Sequence, residues 1–257
     1  MSMLAQIGQM ARRSILQTLR QPANVIPPIL FPLVLMAINV GGLDAATMLP
    51  GFPADSYWDF AIAVPFVQGA LFAAINAGTA LARDVETGFI KRLAMTPMQR
   101  MALLIGQLLG VMTVAFFSAI IYLIAGFAAG MDFQSGALGV PVIILLGVLI
   151  ALGFAAIGAY IGLRSGSGEA VQGVFPLLFV FLFLSSVNLP RNLIEQDWFR
   201  TIATYNPVSY LVEGVRSLII TGWDGEALAL GFGIAALIAA ASVTLSAGAL
   251  RTRLIRT

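Results

Sequence analysis

The sequence predicts an all-α integral membrane protein with six transmembrane helices in a single transmembrane domain, residues 1–257. Of its 257 residues, 59% are hydrophobic and only 10% are charged, whereas soluble domains contain about 25% charged residues. Several apolar runs are long enough to cross about 30 Å of hydrocarbon as helices. The runs are continuous rather than alternating, which favours helices over a β-barrel.

Residues 1–24 predict an amphipathic helix that lies on the membrane surface. Apolar residues such as Leu4 and Ile7 recur at near-helical spacing, while Arg12, Arg13 and Arg20 occupy other faces. Basic amphipathic helices of this kind bind anionic lipid surfaces. The alternative is a cleaved signal peptide, which we disfavour because the basic segment is long and itself amphipathic.

Six apolar segments follow, and each predicts a membrane span. The spans are expected near residues 25–43, 58–82, 101–129, 139–163, 171–187 and 227–250. Pro32, Pro65 and Pro176 fall in the first, second and fifth spans. Each is expected to bend its helix, because proline lacks the backbone donor of a helical hydrogen bond.

Small residues four positions apart predict where the spans touch one another. They are Gly69, Ala73 and Ala77 in the second span, Gly106 and Gly110 in the third, and Gly158 and Gly162 in the fourth. Such residues let helix backbones approach closely where lipid gives no hydrophobic drive between helices. Packing within one subunit is the favoured interpretation, and dimerisation is the alternative.

The basic residues predict that both termini are cytoplasmic. Most of the 14 Lys and Arg residues lie in segments that share a side of the membrane with the N terminus. The first loop on the other side carries Asp44, Asp55 and Asp59 and no basic residue. Positive charge is retained on the cytoplasmic side. Because topology explains the basic residues, no nucleic-acid partner is expected.

Residues 83–100 form the most charged internal segment and predict a cytoplasmic docking loop. Its charges exclude it from hydrocarbon. Val85, Phe89 and Leu93 recur at helical spacing with the charged residues on other faces, as is typical of a short amphipathic helix. We favour a docking surface for a partner protein. The alternative is that Phe89 and Leu93 lie on lipid headgroups or on the protein's own loops.

Residues 188–225 predict external re-entrant helices. Two apolar pieces, near 198–203 and 208–220, are separated by Asn206 and Pro207 and are too short to span a membrane. Glu213 and Arg216, three positions apart, are expected to pair and so reduce the cost of holding charge near the membrane. Structural neutralisation is the favoured role of this pair, and a role in transport is the alternative.

The residue types that are missing exclude several classes of function. Without Cys or His, the chain has no thiol nucleophile, disulfide, His-based catalytic pair or His metal ligand. Its single lysine, Lys91, follows Ile90, so there is no phosphate-binding P-loop. We expect no catalytic residue, no metal and no cofactor in this chain.

The polar residues inside the spans are mainly amides, namely Asn39, Gln68, Asn76 and Gln107. The spans hold no chain of carboxylates, which argues against proton-coupled transport. A docking loop without an internal energy source points to a separate motor protein.

Two motifs occur in order along the chain. The first, after the second span, is E-x-G followed by a leucine-rich turn and T-P, formed by Glu86, Gly88, Arg92, Leu93, Thr96 and Pro97. The second, before the last span, is N-P-x-x-Y-x-x-E-x-x-R, formed by Asn206, Pro207, Tyr210, Glu213, Gly214 and Arg216. Together they resemble the membrane subunits of ABC exporters, in the family that includes daunorubicin-type drug exporters and polysaccharide or O-antigen exporters. With six spans in the family's order, the resemblance covers essentially the whole chain. Gln107 departs from it, because many relatives carry Lys there.

The resemblance implies a type V ABC exporter fold with an N-terminal interfacial helix, a cytoplasmic coupling helix and external re-entrant helices. It implies two membrane subunits, here a homodimer, in a prokaryotic inner membrane, and separate ATPase subunits that bind ATP and Mg. The coupling role is expected at Arg83, Glu86, Gly88, Phe89, Leu93 and Thr96.

The cargo pathway is expected between the two subunits. Its candidate lining residues are Asn39, Gln68, Phe72, Asn76, Phe175, Phe179 and Phe183. Uncharged aromatic and amide groups suit a hydrophobic or amphipathic cargo such as a drug or a lipid. The alternative is that the phenylalanines face lipid or neighbouring helices. Competing functions are a motor-free secondary transporter or channel, a membrane-embedded enzyme, and an anchoring subunit.

Overall fold

The structure, a computed structural model, describes residues 2–95 and 99–255. These residues form helices and no strand, in agreement with the all-α prediction. In chain order the α-helices are α1 (Met3–Leu19), α2 (Ile26–Leu43), α3 (Tyr57–Ala61), α4 (Val64–Glu86), α5 (Phe89–Ala94), α6 (Arg100–Ala128), α7 (Gly139–Ser165), α8 (Gly168–Phe183), α9 (Asp197–Tyr205), α10 (Pro207–Ile220) and α11 (Gly225–Ile255). Thr96 and Pro97 of the docking loop lie outside the described residues.

Five helical segments within these described ranges are long and apolar enough to cross a membrane. They are Ile26–Met48, Tyr57–Glu86, Met101–Ala128, Gly139–Ser165 and Gly225–Arg253. Five of the six predicted spans are thereby confirmed as helices of sufficient length. The remaining span, predicted near 171–187, overlaps α8 (Gly168–Phe183), whose 16 residues rise only about 24 Å.

Pro65, which was expected to bend the second span, lies directly after an interruption of that helix. The helix is interrupted before that residue, between α3 and α4, and α4 begins at Val64, so Pro65 lies in its first turn. A first-turn N–H has no intrahelical acceptor, so proline fits there without distortion. Pro32 and Pro176 do lie inside α2 and α8.

The backbones of α4 and α7 are in direct contact at the centre of the bundle. A Cβ atom added to Gly158 would overlap the carbonyl group of Ala74, and one added to Gly162 would overlap that of Gly78. Only glycine therefore fits at these two positions of α7, as expected where membrane helices pack closely. The favoured interpretation, that Gly158 and Gly162 mark packing within one subunit, is confirmed.

α1 packs along the first part of α6. At Gly106 an added Cβ would overlap Met10, and at Gly110 it would overlap Ser14. These contacts fall on successive turns of both helices, so α1 runs beside α6 rather than crossing it at one point. The small residues of the predicted third span thus receive the N-terminal helix of the same chain.

The exposed side of α1 carries both apolar and polar side chains. Its buried side chains are the polar Ser14 and Thr18, whereas its exposed residues include Leu4 and Leu19 as well as Gln9 and Arg12. Large apolar side chains exposed beside a basic one are typical of a helix at a lipid interface.

Candidate functional site

α4 leads into α5 through a turn at Gly88. α4 ends at Glu86, and Gly88 has a left-handed backbone with φ of 68° before α5 begins at Phe89. A Cβ atom at this glycine would meet nothing within 4 Å, so the backbone conformation, not the available space, favours glycine. The glycine of the E-x-G pattern lets the chain turn directly from α4 into α5.

α5 directs its apolar side chains toward the protein and its basic side chains outward. Phe89 and Leu93 are half-buried and pack against the hydrophobic core. Lys91 and Arg92 are exposed, and Met95, directly after the helix, is 89% exposed. The surface open to a partner is therefore formed by two cations and a methionine, and Phe89 and Leu93 support it from beneath.

Two further residues expected in coupling, Arg83 and Glu86, are exposed at the end of α4. Oε1 of Glu86 accepts a hydrogen bond from the backbone N–H of Gly168, at 3.4 Å. Gly168 begins α8, and a carboxylate is favoured by the dipole at a helix N terminus. Glu86 therefore joins the docking loop to the helix of the predicted fifth span.

An ion pair that sequence analysis missed joins α1 to the same region. Nη2 of Arg13 lies 2.6 Å from Oδ1 of Asp84, and Nη1 lies 3.0 Å from Oδ2. The same guanidinium lies over the ring of Phe89, 4.1 Å from its centroid. No periodic pattern connects Arg13 with Asp84, because they are 71 positions apart.

Four of the predicted pathway residues meet in an aromatic cluster, defined as Phe31, Phe72, Phe175, Phe179 and Phe183. The ring centroids of Phe72 and Phe175 are 5.4 Å apart, and those of Phe175 and Phe179 are 4.8 Å apart. Phe183 lies 6.0 Å from Phe179. Phe31 of α2, which sequence analysis did not single out, contacts both Phe72 and Phe179. The cluster joins α2, α4 and α8, and Phe31 and Phe183 are exposed.

The predicted pathway amides lie apart from one another. Nδ2 of Asn76 donates to the carbonyl oxygen of Asn24 at 2.9 Å, and Nδ2 of Asn39 lies 3.5 Å from Oδ1 of Asn188. Gln68 is 1% exposed, and its Oε1 has no hydrogen-bond partner. Buried polar groups are nearly always hydrogen-bonded, so Oε1 of Gln68 is an unusual acceptor, one helical turn before Phe72 on α4.

Asn206 of the predicted external motif binds the end of α8. Its Nδ2 donates to the carbonyl oxygens of Phe181 at 2.6 Å and Leu184 at 3.0 Å. Its Oδ1 accepts from the backbone N–H of Val208, at 2.9 Å. One side chain therefore satisfies carbonyls at the end of α8 and caps the first turn of α10.

The predicted ion pair between Glu213 and Arg216 is wrong. Glu213 pairs with Arg191, which donates from Nε at 2.8 Å and also from Nη2. Glu213 also accepts a hydrogen bond from Oγ of Ser186, at 2.7 Å. The irregular segment after α8 contains backbone carbonyls that need donors, and Arg216 is directed to these instead of to Glu213.

Arg216 is a buried cation held by backbone carbonyls. It donates from Nε to Phe60 at 3.0 Å, from Nη1 to Ser186 at 3.1 Å and from Nη2 to Val187 at 3.2 Å. Burial lowers the pKa of the Arg216 guanidinium, against the attraction of Glu213, and an arginine keeps its charge at neutral pH. Its planar fork of donors ties α10 to both α3 and the segment after α8.

The remaining motif residues position α10. Pro207 is its first residue, where a missing N–H leaves no acceptor unsatisfied. The hydroxyl of Tyr210 donates to the carbonyl oxygen of Thr204 at 2.8 Å, and its ring lies under Arg191. No group of three or more acidic, His or Cys side chains in the described ranges is arranged to hold a metal ion.

The sequence is similar to known transport proteins along most of its length. Residues 5–220 match the family model described as ABC-2 type transporter. The chain is 28% identical over 228 residues, covering 85% of this chain and 77% of the relative, to the daunorubicin resistance ABC transporter permease protein DrrB1 of Streptomyces coeruleorubidus. It is 26% identical over 225 residues, or 86% and 76%, to the transport permease ycf38 of Porphyra purpurea.

A shorter similarity, 24% identity over 156 residues, relates the chain to the doxorubicin resistance ABC transporter permease protein DrrC of Mycobacterium tuberculosis. It covers 61% of this chain and 55% of that relative. The family model covers most of the chain, and the described helices include five that can cross a membrane. The chain is therefore a multi-pass membrane protein that belongs to the ABC-2 type transporter family.

Proposed function

We propose that the chain is the membrane subunit of an ATP-driven exporter that moves a hydrophobic or amphipathic cargo out of the cytoplasm or the inner leaflet. The observation that carries the proposal is the exposed surface of α5, where Lys91, Arg92 and Met95 face outward at the end of a membrane-crossing helix. A chain with a docking surface and no P-loop takes its energy from a separate ATPase, which would bind ATP and Mg.

The chemistry of the α5 surface indicates what the ATPase presents. Lys91 and Arg92 favour an acidic groove, since complementary charge sets the orientation and rate of association. Met95 favours an apolar pocket, because its flexible side chain adapts to irregular shapes and a buried apolar anchor supplies affinity. Arg83 and Glu86 extend this surface toward α4 and α8.

The proposed topology has six spans and both termini in the cytoplasm of a prokaryotic cell. α8 forms the first part of the fifth span, and the irregular segment at residues 184–187 completes it. Irregular backbone at membrane depth is tolerated where other protein groups form hydrogen bonds with its N–H and C=O groups. Asn206 and Arg216 supply hydrogen bonds to that segment. α9 and α10 are then external re-entrant helices, and α5 is cytoplasmic.

A second copy of the chain is proposed to face α2 and α8. These helices expose large apolar side chains, including Leu30, Phe31, Ile38, Leu177 and Phe181. The aromatic cluster joins the same two helices, so two copies would enclose a pathway lined by phenylalanine rings. An uncharged aromatic lining suits an apolar or amphipathic cargo. The relatives named for daunorubicin and doxorubicin resistance favour drug efflux.

The proposal is tested by isolating the tagged chain from its native membrane in mild detergent and assaying ATP hydrolysis. We expect an ATPase to be recovered with the chain. Recovery and hydrolysis should be lost in the variant Lys91→Glu/Arg92→Glu and kept in Arg12→Glu. Arg12 is a matched control because it is exposed on α1, outside the α5 surface.

The opposite result would favour a motor-free secondary transporter or channel. In that case no ATPase accompanies the chain, and the chain alone moves cargo in proteoliposomes when an ion gradient is applied. The charge reversal at Lys91 and Arg92 would then leave transport unchanged.

A further inference from the structure

α1 contacts the coupling segment, defined here as residues 84–95 and 99, at both of its ends. At the beginning, Arg13 forms the two hydrogen bonds to Asp84, at 2.6 and 3.0 Å. At the end, Oε1 of Gln6 accepts a hydrogen bond from the backbone N–H of Gln99, at 2.9 Å. The two contacts lie about two turns apart on α1, so one helix bridges the segment that contains α5.

The contact at Arg13 reaches the docking helix itself. Asp84 is only 5% exposed, so this pair is screened by water less than a surface ion pair would be. The guanidinium also lies 4.1 Å from the centroid of the Phe89 ring, in the range of a cation–π contact. A single cation on α1 therefore contacts both the last turn of α4 and the first residue of α5.

α1 is in turn fixed to α6. Glycines at positions 106 and 110 receive Met10 and Ser14 so closely that no Cβ atom would fit, and Oγ of Ser14 donates to the carbonyl oxygen of Gln107. Close packing of this kind resists sliding, because a shift would place side chains against backbone. Displacement of α1 therefore carries α6 with it.

We infer that α1 is a working part of the coupling machinery and that Arg13 is its positioning residue. When the ATPase moves α5, the movement is transmitted to the membrane helices by two routes. One is the covalent connection to α4, and the other passes through Arg13 to α1 and α6. This inference rests on the proposed function. It assigns the N-terminal helix a role distinct from membrane attachment.

The first test compares Arg13→Gln with Arg12→Gln in proteoliposomes that contain the complete complex with its ATPase. We expect Arg13→Gln to reduce cargo moved per ATP hydrolysed by about 5-fold or more, the range of typical coupling energies. Association with the ATPase should remain normal, and Arg12→Gln should match the unmodified protein. The exchanged pair Arg13→Asp/Asp84→Arg should recover part of the loss, because it restores the ion pair but not the contact with Phe89.

The outcomes separate this inference from the proposed function. If the α5 charge reversal abolishes ATPase association but Arg13→Gln transports normally, the role of α1 is wrong and the exporter assignment stands. If no ATPase associates with the unmodified chain, both fail. Loss of ATPase association in Arg13→Gln that the exchanged pair does not recover would also overturn the inference, since Arg13 would then act in docking or folding.

A second measurement does not depend on transport. The chain has no Cys, so single cysteines at the exposed positions Gln9 and Thr87 can carry spin labels without further substitution. We expect the distance between the labels to be the same in the nucleotide-free and ATP-bound complexes, because α1 moves with the coupling segment. With Arg13→Gln the two states should differ. A distance that changes on ATP binding in the otherwise unmodified protein would refute the inference.

Discussion

The guanidinium of Arg216 lies 3.4 Å from the centroid of the Phe60 ring and also donates from Nε to the Phe60 carbonyl oxygen. The ring and the carbonyl belong to one residue of α3, 156 positions earlier in the chain. Arg216 thereby fixes α10 to the point where the helix of the second span is interrupted. The same side chain donates hydrogen bonds to the carbonyl oxygens of Ser186 and Val187, in the irregular segment after α8.

Replacing Arg216 with Lys should destabilise the protein although the charge is kept. A lysine ammonium cannot donate hydrogen bonds at once to three carbonyls that are arranged around a planar guanidinium. Each buried carbonyl left without a donor lowers the free energy of unfolding. We expect a loss of about 3 kcal/mol, seen as a lower thermal unfolding midpoint in detergent. Arg200→Lys is the control, because Arg200 pairs with the exposed Asp197 and such pairs contribute little. Equal midpoints for the two variants would show that the carbonyl contacts are unimportant.

Replacing Gly158 with Ala should separate α4 from α7. The added methyl group would overlap the carbonyl of Ala74, and a backbone cannot move aside as a flexible side chain does. Overpacking of this kind lowers the free energy of unfolding by about 1 to 3 kcal/mol. Gly233→Ala in α11 is the matched control, because a Cβ there meets no atom within 4 Å. It should be neutral or stabilising, since alanine favours helix. If Gly158→Ala were as stable as Gly233→Ala, the close contact would be refuted.

Replacing Gln68 with Met should stabilise the fold. The side chain is 1% exposed and its Oε1 has no hydrogen-bond partner, so an apolar residue of similar length removes a desolvation penalty of about 1 to 3 kcal/mol. The midpoint of thermal unfolding measures the gain. A stabilised variant that transports less would indicate that the amide contacts cargo or water in another state of the cycle. A destabilised variant would show that the amide is satisfied after all.

Replacing Phe179 with Ala should change which cargo is transported more than it changes ATP hydrolysis. Phe179 contacts Phe31, Phe175 and Phe183, so its loss opens space at the centre of the aromatic cluster. Transport of a panel of amphipathic compounds, compared with ATPase activity, measures the effect. Phe117→Ala is the control, because Phe117 is exposed on α6, outside the cluster. An unchanged cargo profile for Phe179→Ala would argue against a lining role.

The sequence was sufficient to predict five of the six proposed spans, because hydropathy reports the length of each apolar run and a membrane fixes the length that is required. It could not predict where α8 ends. Residues 171–187 are almost uniformly apolar, and hydropathy does not register that the helix stops at Phe183. That end is set by Asn206, which binds the carbonyls of Phe181 and Leu184 from a distant part of the chain.

The side-chain partners were the least predictable part of the site. Spacing along a helix relates residues three or four positions apart, so it favoured Glu213 with Arg216. The partner of Glu213 is Arg191, in the segment after α8. Likewise, helical spacing identified one side of α5 as apolar but did not show that Arg13 covers Phe89. Such contacts depend on tertiary packing, which a local pattern does not contain.

The backbone contact between α4 and α7 has a mechanical consequence. The 23 residues of α4 form a rod about 35 Å long, which continues through Gly88 into α5 at one end and lies beside the interruption near Phe60 at the other. The backbone of α4 touches that of α7 directly at Gly158 and Gly162, with no side chain between them. The two helices therefore tilt together rather than slide past each other. A tilt of about 5° applied at α5 would displace the far end of such a rod by about 3 Å. That distance is comparable to the length of the hydrogen bonds by which Arg216 holds the segment after α8 in place.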